Sequence, residues 1–227
     1  MSIGGSIFVS VRTQTPFTEF AFVPMPFKKL HPNIQDKLAE LDIESPTPFQ
    51  SKSIPIIKSG ANVYCTAPKD SGKTTTLILT TLQKLKCEAV GASPRAVVLV
   101  ESREKAVALY VDFLTFTKHN SLRVYVSHEQ IHIDTQKSEI FMGIDILIST
   151  PKSMNKLFLV NGVSISQLKL FSIDDAEFLM QKSSYAALMS ITQSIKKCQY
   201  VIYSEKMNPM LKRFESYFME YSKKISL

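Results

Sequence analysis

The sequence predicts an α/β fold: a mainly parallel β-sheet with helices on both of its faces. Three observations carry that prediction. Short apolar runs recur along the chain, each closed by a polar turn and followed by residues at helical spacing. The runs show no alternation of apolar and polar positions, as expected of strands buried on both faces. A Gly-Lys-Thr turn lies between one such run and a helical stretch, at the strand-to-helix junction where α/β sheets carry their ligands.

The elements follow in order. Residues 1–26 (MSIGGSIFVSVRTQTPFTEFAFVPMP) mix β-branched and aromatic residues with three prolines, which suggests an irregular or strand-like extension. From Pro32, residues Ile34, Leu38 and Leu41 recur at helical spacing, and Pro46 and Pro48 are expected to stop that helix. Strands are expected in NVYCTA (62–67), AVVLVE (96–101), LRVYVS (122–127), IDILIST (144–150), LKLFSID (168–174) and QYVIYS (199–204). The closing KKISL offers one more. Without a repeat, a low-complexity segment or a Gly/Ser-rich linker, residues 27–227 read as one α/β domain and residues 1–26 as its appendage.

Composition bounds the function. A chain of 227 residues, 44% apolar and 10% aromatic, can bury a sizeable core. Lys and Arg outnumber Asp and Glu by 27 to 20, and the net charge of +7 favours polyanionic partners such as nucleic acid. Three scattered cysteines (Cys65, Cys87, Cys198) without a C-x-x-C pair indicate neither a disulfide framework nor a cysteine metal site. No apolar run approaches about 18 residues, and the signal-peptide pattern is missing, so a cytoplasmic protein with no membrane partner is expected.

The stretch CTAPKDSGKTTTLIL (65–79) carries the first chemistry. A strand runs into a small-residue loop and then a helix beginning near Gly72, where free N–H groups and the positive helix end can cradle phosphate. Gly72 allows close backbone approach, Lys73 supplies a cation for the outer phosphates, and Thr74 supplies a hydroxyl for Mg²⁺. Ala67 stands where the full phosphate-loop pattern has glycine. A second turn, Asp174-Asp175-Ala176-Glu177, follows the apolar run LKLFSI. There Asp174 is placed to hold Mg²⁺ through water and Asp175 to orient an attacking water.

Together these residues resemble the first RecA-like domain of the DEAD-box RNA helicases. Phe27 followed by ESPTPFQ, ending at Gln50, is similar to the adenine-recognising Q motif. APKDSGKT resembles the family's A-x-T-G-S-G-K-T, with Ala67, Ser71, Gly72, Lys73 and Thr74 in place. ESREKA (101–106) sits where P-T-R-E-L-A belongs, with Arg103 in the position of the RNA-facing arginine. STPKS (149–153) resembles T-P-G-R, placing Thr150, Pro151 and Lys152 on the nucleic-acid side. DDAE resembles D-E-A-D, and YSEKM (203–207) stands where F-S-A-T belongs. The resemblance covers the chain from Phe27 onward. It implies a RecA-like P-loop fold, ATP or ADP with Mg²⁺ as cofactor, RNA as partner, and catalysis by Asp174 and Asp175.

The departures from the family pattern alter the expected activity. Asp70 replaces a glycine facing the β-phosphate, and two unit charges about 4 Å apart interact by about 4 kcal/mol at an effective dielectric of 20. Nucleotide binding should be weakened, although Asp tolerates the left-handed backbone a glycine position can demand. Asp175 is one methylene shorter than the family's glutamate, so hydrolysis should be slow. Glu205 and Lys206 replace the Ala and Thr of S-A-T, Lys152 and Ser153 replace Gly and Arg, and Ser127-His128 stands where the family has a Gly-Gly turn. Family members complete their sites with a second RecA-like domain, which is expected to act here in trans, if at all. The expectation is a nucleotide- and RNA-binding domain with feeble or no ATPase activity and no unwinding on its own. The alternative is a pseudo-enzyme that retains the fold as a protein-interaction module.

HEQIH (128–132) also fits the H-E-x-x-H zinc-hydrolase pattern, with His128 and His132 as ligands and Glu129 as base. That chemistry requires both histidines on one helix face and a third ligand. His31 and His119 have no partner at metal spacing and read as surface or helix-end residues.

Overall fold

The structure, a computed structural model, describes residues 26–227. The extension expected over residues 1–26 falls, but for its last residue, outside the described residues. Seven strands form one all-parallel sheet in the order β3-β4-β2-β5-β6-β1-β7. They are β1 (Val63–Thr66), β2 (Ala96–Leu99), β3 (Val124–Ser127), β4 (Ile146–Ser149), β5 (Leu170–Ile173), β6 (Gln199–Ser204) and β7 (Lys223–Ser226). Each lies within an expected run, and KKISL supplies β7, which pairs with β1.

The connecting helices are α1 (Pro32–Glu40), α2 (Pro48–Lys58), α3 (Lys73–Leu85), α4 (Arg103–Thr117), α5 (Ile133–Met142), α6 (Pro151–Leu159), α7 (Lys182–Thr192) and α8 (Pro209–Arg213). The prolines act differently from the expectation. Helix α1 ends at Glu40, several residues before Pro46, and Pro48 opens α2 at its first turn, where a missing N–H costs nothing.

Neighbouring residues of one strand enter different cores, as strands covered on both faces require. In β2, Ala96 and Val98 pack with Phe27, Ile34, Phe49, Leu77 and Phe113 under α1 to α4. Val97 and Leu99 pack with Met154, Leu157, Phe171, Leu188 and Phe214 under α6 to α8. Every residue of β1, β2, β4, β5 and β6 is buried. All strands run the same way, so the turns after β1, β2, β4 and β5 share one rim of the sheet. No helix among the described residues is long and apolar enough to cross a membrane.

Candidate functional site

The loop from Ala67 to Gly72 joins β1 to α3 and is clipped to the start of α2. Thr47 caps α2 in a reciprocal box: its Oγ1 accepts from the Gln50 N–H (3.2 Å), and Gln50 Oε1 accepts from the Thr47 N–H (2.9 Å). The same Thr47 hydroxyl donates to the Ser71 carbonyl at 2.8 Å. Gly72 is required twice over. Its φ of +92° lies in the left-handed region, and a Cβ there would meet Gln50 Nε2 at 2.8 Å. Asp70 also lies in that region, at φ +59°, so an acid holds the backbone shape of the glycine it replaces.

Lys73, the first residue of α3, turns its ammonium back onto the loop. It donates to the carbonyls of Ala67 and Pro68 at 2.7 Å each. Ala67 therefore reaches the site through its carbonyl alone, its side chain being fully buried in the core. A cavity of about 470 Å³ opens beside this loop, lined by Lys69, Asp70, Gly72, Lys73, Thr74, Thr75 and, from the turn after β5, Asp175. The Ser71 hydroxyl is buried with no partner.

The acid turn follows β5, whose end is fixed by the Asp174 N–H donating to the Leu99 carbonyl (2.9 Å). Asp174 Oδ1 is buried and unpartnered. Burial, helped by the adjacent Asp175 carboxylate, pushes the Asp174 carboxyl up to about 6, against the pull of Lys105 and Lys73. Asp175 adopts φ +46° and bonds Lys105 Nζ at 2.9 Å, while the same ammonium lies 3.4 Å from Glu101. Glu177 accepts from the Glu205 N–H at 2.6 Å, tying the acid turn to the end of β6. An orphaned acid oxygen at Asp174 and the exposed Thr74 on the cavity wall fit a hard divalent cation, which takes oxygen ligands.

The residues expected on the nucleic-acid side occupy the turns after β2 and β4. Arg103 and Lys152 are exposed, with no ion-pair partner among the described residues. Thr150 and Pro151 are buried and shape the turn: Thr150 Oγ1 caps α6 by accepting from the Ser153 N–H (3.2 Å) and donates to Glu129 (2.8 Å). Beneath them Ser127, Ser149, Ser153 and Gln136 share a buried hydrogen-bond network. Phe27 is a core residue here, 8% exposed, in the cluster under α1 to α4.

HEQIH forms a turn, not a helix. His128 Nδ1 accepts from the Gln130 N–H, His132 caps α5, and Glu129 is held by Thr150. Among the described residues no cluster of three His, Cys, Asp or Glu could hold a metal, so the zinc geometry is not met. His31 caps α1, and His119 lies 3.6 Å from Glu40 at the surface. Sequence reasoning missed Thr47, the Glu177–Glu205 link and above all Lys105. The last left a signal, a charge in ESREKA where the resembled pattern has leucine.

The sequence model of the DEAD/DEAH box helicases matches residues 47–210. A probable ATP-dependent RNA helicase, ddx52 of Dictyostelium discoideum, is 29% identical over 74% of this chain and 25% of its own length. The ATP-dependent RNA helicase RhlB of Shewanella sp. (strain MR-4) is 26% identical over 73% of this chain and 38% of its own. The chain thus spans well under half the length of these curated relatives. Among solved structures, a DEAD box protein from Methanococcus jannaschii superposes with a TM-score of 0.80, at 19% identity, over 87% of this chain and 54% of that one. An S. cerevisiae Dbp5 variant bound to RNA and ADP–BeF3 gives a TM-score of 0.78 at 18% identity, over 88% of this chain and 50% of that one.

Proposed function

The chain belongs to the DEAD/DEAH box helicase family, and from that premise we propose that it binds an adenine nucleotide with Mg²⁺ and RNA, while hydrolysing ATP slowly or not at all. It does not unwind RNA by itself. The observation that carries this reading is the cavity lined by Gly72, Lys73 and Thr74 together with Asp175 of the acid turn. Lys73 is poised to exchange the Ala67 and Pro68 carbonyls for a phosphate, which as a full anion is the stronger partner for an ammonium. Thr74 and Asp174 would hold Mg²⁺, which would neutralise phosphate charge. Arg103 and Lys152 would meet RNA phosphates on the same rim.

Two features mute the chemistry. The Asp70 carboxylate lines the cavity and repels the phosphate chain, more strongly for ATP than for ADP. Asp175, already short, has an oxygen occupied by Lys105, leaving it badly placed to orient water. The test is thermal unfolding with millimolar ADP and Mg²⁺. The wild type should gain about 1–4 °C and Lys73→Ala nothing. No gain in the wild type contradicts nucleotide binding.

A second reading, an interaction module with a disused site, is favoured by one observation: Lys73 is already satisfied by its own loop while Asp70 contributes negative charge to the cavity. Under it neither the wild type nor Asp70→Gly shows a nucleotide response.

A further inference from the structure

Strand order places three turns side by side on the rim, after β4, β2 and β5 in that sequence. The first two present the exposed cations Lys152 and Arg103, and the third presents Asp174 and Asp175. Lys105 stands at the boundary. It belongs to the first turn of α4, two residues from Arg103, yet its ammonium crosses to the neighbouring turn and bonds Asp175 Oδ2 at 2.9 Å. Glu101 draws the same ammonium from the other side at 3.4 Å. All three side chains are 40–45% exposed, and half-exposed pairs of this kind are weak enough to exchange with other anions.

We propose that Lys105 is a phosphate-binding residue of the RNA rim that Asp175 sequesters, so that an RNA phosphate and the Asp175 carboxylate compete for one ammonium. This rests on the RNA binding proposed above. Free of RNA, the protein keeps Lys105 on Asp175 and the second acid of the turn out of use. An RNA phosphate that reaches the first turn of α4 draws Lys105 away and returns a bare carboxylate to the cavity. The coupling is reciprocal, so whatever engages Asp175 in the cavity releases Lys105 to RNA. An acid at the nucleotide cavity and a cation on the nucleic-acid rim are thereby joined by one contact, without movement of the backbone.

The test is a double-mutant cycle read by fluorescence anisotropy, with labelled single-stranded oligouridylate and the 227-residue chain as wild type, Lys105→Gln, Asp175→Asn and the double variant. Asp175→Asn should tighten RNA about two- to fivefold. It should also steepen the dependence of log Kd on log salt by about 0.7, the increment for one added phosphate contact on a single strand. Lys105→Gln should loosen RNA, and in that background Asp175→Asn should change affinity less than twofold. An equal gain from Asp175→Asn with and without Lys105 overturns the proposal, because the acid then acts only by its distant charge. RNA binding by the wild type that Asp175→Asn leaves unchanged overturns it too, while sparing the RNA reading. Failure of all four proteins to bind RNA overturns both.

Discussion

The two rims of the sheet hold an aspartate each, and they treat it in opposite ways. Before β4, Asp145 is fully buried and each of its oxygens is occupied: Arg95 and the Val90 N–H bond Oδ1, and the Arg123 side chain and N–H bond Oδ2, at 2.6–3.2 Å. Burial alone would raise its carboxyl, yet Arg123, Val90 and Arg95 together hold it below the ordinary range. After β5, Asp174 has a buried oxygen with no partner and a carboxyl raised to about 6. The first arrangement locks three strand starts together. The second leaves an unmet electrostatic demand that a cation can satisfy, which is what a binding site needs and a structural contact avoids.

The contrast breaks most visibly at Asp145. Asp145→Ala leaves Arg95 charged and 3% exposed, and denaturant unfolding should lose about 3–5 kcal/mol of stability; a loss below about 1 kcal/mol would mean the network is not structural. Asp174→Asn should act in the opposite direction, stabilising the ligand-free protein at pH 7.5 by about 1–3 kcal/mol. The sign follows from the raised carboxyl. Between about 4 and 6 the folded state holds a proton that the unfolded state has released, so the stability from the neutral acid is lost as pH rises through about 6. The asparagine advantage should therefore grow from pH 4 to pH 7 in unfolding curves, and a pH-independent difference would contradict it.

Glycine substitutions sharpen the same comparison at smaller scale. Gly72→Ala should cost about 1–2 kcal/mol, from the left-handed backbone and the contact with Gln50. Gly91→Ala, at φ +68° with no atom within 4 Å of the added carbon, isolates the backbone part. Equal thermal shifts for the two would show that Gln50 does not press on the phosphate loop. Smallest of all, Lys105→Gln should change stability by less than about 1 kcal/mol, so that a change in RNA affinity for that variant reports binding.

Much of the rim was legible in the sequence because strand-to-helix turns are fixed by their local pattern. Unalternating apolar runs located six of the seven strands and the closing KKISL offered the seventh, while Gly72-Lys73-Thr74 after one run and Asp175 after another both line the cavity. What was not legible depends on which strands become neighbours. Nothing local tells that β2 lies between β4 and β5, and only that order brings Lys105 to Asp175 and separates Lys152 from the acid turn. The Asp145 network is hidden for the same reason, since Arg95 and Arg123 converge on it from just before two other strands. The burial of Phe27 was likewise out of reach, because an aromatic in a motif position looks the same whether it stacks on a ligand or on the core.

The proposed nucleotide binding turns on Lys73 as the phosphate's partner and Asp70 as its opponent. Calorimetric titration of ADP with Mg²⁺ into the wild type, Lys73→Ala and Asp70→Gly tests it most directly. Saturable binding is expected in the wild type, lost in Lys73→Ala and tightened on the order of tenfold in Asp70→Gly, where a half-screened repulsion is removed. Flat heats in the wild type and in Asp70→Gly alike would contradict it, leaving the fold without the nucleotide.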